Sequence, residues 1–137
     1  MSAMTNYLES GLLNQIFRGL TVTLPSTGVY LGLTSGVPTE GGPSSDEVNG
    51  AGYTRVHVST GVFNAPSADS NGHKVENNAA IDFPTATANW GYASGVIITD
   101  SLTAGNVLLK GSLTTARNIL NGDTFRFNTG DLDIKFD

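Results

Sequence analysis

Val29-Tyr30-Leu31-Gly32-Leu33-Thr34 is where the chain changes its hydrophobic period. Before it, Leu8, Leu12, Leu13, Ile16, Phe17 and Leu20 recur at helical spacing and form one apolar stripe. Within it, Val29, Leu31 and Leu33 alternate with Tyr30, Gly32 and Thr34, so the two sets point to opposite faces of a half-buried strand. The switch predicts one N-terminal helix followed by β structure. The helix is expected over residues 5–20, with Asn6 and Glu9 as a capping box and Gly19 as its stop. Gly11 inside it costs roughly 1 kcal/mol against Ala. A helix this short is marginal alone, so it must pack on its own domain or on a neighbour.

The period-two pattern returns downstream in short runs. Over Tyr53–Val58, residues Thr54, Val56 and Val58 share one face, and Tyr53, Arg55 and His57 share a polar one. Ala80–Phe83, Tyr92–Thr99, Asn106–Ser112 and Thr124–Phe127 read as further strands, and Leu132, Ile134 and Phe136 close the chain on a last one. Ser35–Gly52 reads as a long polar loop carrying Asp46-Glu47. Gly61–Asn78 is a second polar stretch, with a turn at Asn71-Gly72. Asn121-Gly122-Asp123 and Thr129-Gly130 mark tight turns. About seven short strands after one helix predict a mostly β fold, an antiparallel β-sandwich or jelly-roll-like barrel with one N-terminal helix. No repeat or linker divides the chain. Residues 1–137 therefore read as a single domain, with 5–20 as helix and 28–137 as sandwich.

Composition narrows the function classes. Only 14% of the residues are charged and 39% are hydrophobic; Gly, Ser, Thr and Asn make up much of the rest, which suits turns and exposed strand faces. No apolar run reaches the length of a membrane span, and Met1–Asn6 has neither a basic nor an apolar signal region. Cys is absent, which removes disulfides, thiol nucleophiles and thiolate metal sites. Seven basic residues against twelve acidic ones give a net charge of −5. Arg18, Arg55, Lys74, Lys110, Arg117, Arg126 and Lys135 are scattered singly along the chain, which argues against direct binding of DNA or RNA.

No catalytic constellation stands out. His57 and His73 read as surface histidines. Asp69-Ser70-Asn71-Gly72 has the alternating oxygens of a calcium loop but lacks the closing acidic residue, and an Asn-Gly turn explains the same residues. Asp131 and Asp133 share a strand face with Lys135, a solvated charged stripe rather than an acid–base pair. There is no Gly-x-Ser-x-Gly elbow and no phosphate-binding Gly loop. No enzyme activity, cofactor or metal is expected. Trp90, Tyr92 and Tyr53 offer a carbohydrate-stacking platform; the competing reading puts Trp90 in the core with a partner for its N–H.

Several stretches taken in order resemble a known family. They are Val29-Tyr30-Leu31-Gly32-Leu33-Thr34 with Pro38-Thr39-Glu40, then Asp46-Glu47-Val48-Asn49-Gly50-Ala51-Gly52-Tyr53-Thr54-Arg55, Ile81-Asp82-Phe83-Pro84-Thr85-Ala86, Trp90-Gly91, and Gly122-Asp123-Thr124-Phe125-Arg126-Phe127. Together they resemble small virion proteins of tailed bacteriophages, the tail-fibre-like and capsid cement or decoration proteins. The resemblance covers most of the chain and implies a virion location, with assembly in the host bacterial cytoplasm. It carries over no catalytic residue.

Two structural roles follow from it. A capsid cement or decoration subunit would pack on the major capsid protein; a tail, baseplate or fibre component would pack on other virion proteins. In either case a homo-oligomer, with a trimer as the form to look for, is expected. A carbohydrate-binding module is the further alternative. The contact residues expected from the sequence are Leu8, Leu12, Ile16 and Phe17 of the helix and Asp46 and Glu47 of the long loop. No membrane or direct nucleic-acid partner is expected.

Overall fold

The switch of period falls where the chain, having run back along its single helix, enters the first long strand. A computed structural model describes residues 2–36 and 46–136. The order is β1 (Ser2–Met4), α1 (Asn6–Arg18), β2 (Gly28–Thr34), β3 (Val56–Ser59), a 3₁₀ turn at Thr60–Val62, β4 (Ser67–Asp69), β5 (Gly72–Glu76), β6 (Ile81–Asp82), β7 (Gly91–Thr99), β8 (Val107–Ile119), β9 (Arg126–Phe127) and β10 (Asp133–Phe136). The main sheet runs β1-β8-β7-β2-β3; β10-β5-β4 and β6-β9 form two smaller ones. Every pairing is antiparallel.

One buried cluster takes side chains from all three sheets. Leu31, Leu33, Val58, Ala93 and Ile98 come from the main sheet, Ile134 from the second, Ile81 and Phe127 from the third, and Leu8 from the helix. The fold is thus the expected mostly β, antiparallel sandwich with one helix near the N-terminus.

The structure also corrects the sequence reading. β2 is not half-buried: Leu31 to Thr34 are all buried. The returning chain covers its second face, where a Cβ on Gly32 would meet Glu47, Ile97 and Tyr53 at 2.9–3.0 Å. The helix starts after Thr5 rather than with an Asn6–Glu9 capping box. Thr5 is 1% exposed, and its hydroxyl lies against the carbonyls of Val107 and Leu108 in β8, so it ties the helix start to the sheet instead of capping the helix. Gly19 ends the helix in the left-handed conformation, as expected.

β1 went unpredicted because three residues show no period; it pairs Ser2, Ala3 and Met4 with Gly111, Lys110 and Leu109. The strand expected over Tyr53–Val58 is shifted to Val56–Ser59. Tyr53 and Arg55 lie not on a solvated polar face but inward, because Glu47 provides their polar partner. The polar stretch Gly61–Asn78 holds the β4–β5 hairpin, closed by Asp69 opposite Gly72 around the expected turn. β8 continues to Ile119, past the expected end at Ser112, through residues too polar to show a buried face. Asp131 is not on the last strand. It sits in the preceding turn, where its carboxylate accepts from the Asn128 N–H at 3.2 Å, and Lys135 pairs with Asp69 at 2.7 Å. Of the long loop Ser35–Gly52, residues 37–45 lie outside the described residues.

Candidate interaction surface

The helix presents two apolar faces with different fates. Leu8 is 5% exposed and Leu12 packs partly buried beside it; these two hold α1 on the core. A third face is taken by the chain that follows. After Gly19 the backbone runs back along the helix: the Val22 N–H donates to the Gln15 side chain at 3.1 Å and the Tyr7 hydroxyl to the Thr23 carbonyl at 3.4 Å. Gly11 makes this possible, since a Cβ there would stand 2.4 Å from a Val22 methyl. The glycine that weakens the helix in isolation is the seat of its strap.

The remaining face is apolar and uncovered. Leu13, Ile16 and Phe17 are 58%, 68% and 76% exposed, and Leu20, just past the helix cap, is 48% exposed. Their spacing puts them on one side of α1. Together they expose apolar surface on the order of 400 Å², in the range of the largest patch on a typical monomer, which is often functional. Of the helix residues expected to make contacts, the structure therefore places Ile16 and Phe17 on an open surface and Leu8 in the core, with Leu12 half-buried between them. Leu13 and Leu20 join the surface set. The stripe was visible in the sequence, but which part of it faces the sheet was not.

The two loop residues belong to a different arrangement. Asp46 and Glu47 stand where the chain returns to the main sheet: the Ser35 N–H donates to the Asp46 carbonyl at 2.8 Å and the Val48 N–H to the Leu33 carbonyl at 2.9 Å. Glu47 is clamped. Arg55 donates to both of its carboxylate oxygens at 2.8 Å, and the Tyr53 hydroxyl donates to one of them at 2.9 Å. The same guanidinium reaches the carbonyls of Ser101 and Ala104 at 2.9 and 2.8 Å. The clamp thereby fastens the base of the long loop to the β7–β8 connection. Burial alone would push the Glu47 carboxyl up. The hydrogen bonds from Arg55 and Tyr53 and the Arg55 charge outweigh it, so the pKa is lowered. Burial also pushes the Tyr53 hydroxyl well above its ordinary value. A charge pair saturated in this way holds structure; it leaves no group poised for proton transfer.

The other candidates do not converge. His57 is exposed and packs its ring on Tyr30 at 5.0 Å, while His73 lies on β5 opposite Phe136. Among the described residues no group of three or more His, Asp or Glu side chains is placed to hold a metal ion. No helix among them is long and apolar enough to cross a membrane. The aromatic platform does not form. Trp90 is 9% exposed, donates its ring N–H to the Ala51 carbonyl at 2.8 Å and meets Tyr53 edge-on at 5.3 Å. Gly91, at φ 82°, breaks the strand alternation between Trp90 and Tyr92, which leaves Tyr92 alone on the surface at 64% exposure.

Residues 3–135, all but the two residues at each end, match the family model described as Podophage GP4 fiber I protein gp80. A search of curated proteins finds no match.

Proposed function

The chain belongs to this podophage fiber I protein family, and from that premise we propose that it is a structural subunit of the virion's fibre apparatus, joined to neighbouring subunits through the open stripe of α1. The observation that carries the reading is that Leu13, Ile16 and Phe17 stay exposed beside a core that is complete without them. Apolar side chains held in water on a rigid helix are a standing cost, which contact with a neighbour removes. A homo-oligomer built on this stripe, or docking on another virion protein, fits the same surface. The role is structural rather than enzymatic: the polar clusters are ion pairs and loop ties. The capsid cement reading stands behind the fibre reading because the matching family is described as a fibre protein.

Electron microscopy of particles labelled with gold-conjugated antibody to this chain tests the proposal. Label at the tail end of the particle is expected. Label spread over the head would replace the fibre reading with capsid cement.

A further inference from the structure

The open stripe of α1 reads the same in both directions. Leu13 and Leu20 lie equally far from the midpoint between Ile16 and Phe17, and all four are exposed. A surface that a two-fold axis maps onto itself is what an isologous contact needs. The stripe also has an acid at one end. Glu9, four residues before Leu13, is exposed on the same side of the helix. Arg18, the helix's only cation, stands about 100° around the axis from Phe17 and donates to the Asn14 side chain at 3.1 Å, outside the seam.

Charge and area both select the occupant. Helices packed in parallel, as around a three-fold axis, bring Glu9 against Glu9 of the next copy at the end of the seam, and like charges there oppose assembly. Helices packed antiparallel about the midpoint of the stripe hold the two Glu9 side chains about 22 Å apart along the seam, at 1.5 Å of rise per residue. That is well beyond the screening length of roughly 8 Å at physiological salt. The stripe exposes on the order of 400 Å² of apolar surface, so a pair of copies buries about 800 Å² of it. Homodimer interfaces are about 65% apolar, which brings the whole contact to roughly 1,200 Å², the lower bound of a standard specific interface. Around a three-fold axis the same stripe is divided between two neighbours. Each contact then has roughly 600 Å², the size of a non-specific one.

We propose that the stripe is covered by a second copy of this chain, with the two α1 helices antiparallel across a two-fold axis between Ile16 and Phe17. Leu13 of each copy then lies on Leu20 of the other. This rests on the stripe being the contact surface of the virion subunit, and it names the partner of that surface.

Cysteine pairing tests it, in a chain that has no cysteine of its own. Leu13→Cys and Leu20→Cys change exposed positions. Mixed and mildly oxidised, the two variants are expected to give the mixed disulfide as the main product. Leu13→Cys alone is expected to stay reduced, because its two thiols stand about 10 Å apart along the seam. In sedimentation at about 100 µM, above the micromolar end of the affinities such areas give, the parent is expected to be a dimer and Phe17→Glu a monomer with an unchanged thermal midpoint. A trimer in which Leu13→Cys joins to itself overturns the inference in favour of a parallel seam, and a dimer that does not form the mixed disulfide overturns the two-fold geometry. A monomeric parent overturns the second copy as the occupant, and particle composition then tests the wider reading. Loss of Phe17→Glu from particles leaves the stripe as a contact with another virion protein. Normal incorporation of Phe17→Glu overturns both readings.

Discussion

Removing the Arg55 side chain tests the account of what fastens the loop bases. Arg55→Met keeps most of the buried aliphatic length and deletes the charge. The Arg55 side chain is 4% exposed and that of Glu47 is 19% exposed. Breaking a buried pair by deleting one partner costs about 3–5 kcal/mol, because the other charge is stranded. Glu47 keeps the Tyr53 hydroxyl and some water, so the low end, about 3 kcal/mol, is expected. For a domain of this size that lowers the thermal midpoint by roughly 10 °C. Urea unfolding followed by the fluorescence of Trp90, the single and buried tryptophan, reads the loss. The cost also depends on pH in a set direction. The Glu47 pKa is lowered in the folded chain from an ordinary value of 4.5. The pair therefore contributes its stability above that value and loses it as the pH falls through the folded one. In the variant only the Tyr53 hydrogen bond is left to oppose burial, so the Glu47 carboxyl shifts upward from its value in the parent and takes a proton more readily. The gap between parent and variant narrows from pH 7 to pH 4. A cost below about 1 kcal/mol, or a gap that stays constant with pH, would show that the Arg55–Glu47 pair does not fasten the loop bases.

Further outcomes follow from single contacts. Gly11→Ala gains up to about 1 kcal/mol of helix propensity but drives a methyl into Val22, an overpacking of about 1–3 kcal/mol; a lower thermal midpoint is expected, and a higher one would show that the strap is not seated there. Trp90→Ala should cost about 3–5 kcal/mol in urea unfolding, since the ring fills the core against Gly50 and Tyr53. Ile16→Lys with Phe17→Glu should change stability by no more than about 0.5 kcal/mol per site while abolishing self-association or particle incorporation, read by sedimentation and by particle composition. Gly122→Ala, at φ 90° in an open turn, should cost about 1–2 kcal/mol from backbone strain alone.

The sequence exposed some of this plainly. The change of period at Val29 located the helix and the first long strand, and the Asn-Gly turns placed the hairpin at residue 71 and the bend at residue 121. Helical spacing identified the apolar stripe. It could not say that Leu8 turns inward while Ile16 and Phe17 stay out, because a stripe wider than the contact with the sheet leaves the choice to tertiary packing. Arg55 read as a surface residue because alternation assigns a face but not what covers it; Glu47, eight residues away along the chain, does the covering. β1 and the tail of β8 were illegible for a related reason. Three residues carry no period, and in Ser112–Asn118 only Ser112, Arg117 and Asn118 pair with β7, across a register shift, with no buried face to mark the stretch. The ordered motifs around Tyr53, Phe83, Trp90 and Phe125 turn out to be one aromatic cluster, with Tyr53 against Trp90 and Phe83, and Phe83 against Phe125. That is why they could mark a family without marking a catalytic site.

We propose that this chain is a fibre subunit of a phage particle. Quantitative mass spectrometry of purified particles, with the major capsid protein as the internal standard, tests it most directly. The chain is expected at a small fraction of the capsid protein's copy number. Absence from the particle, or a copy number approaching that of the capsid protein, would contradict it.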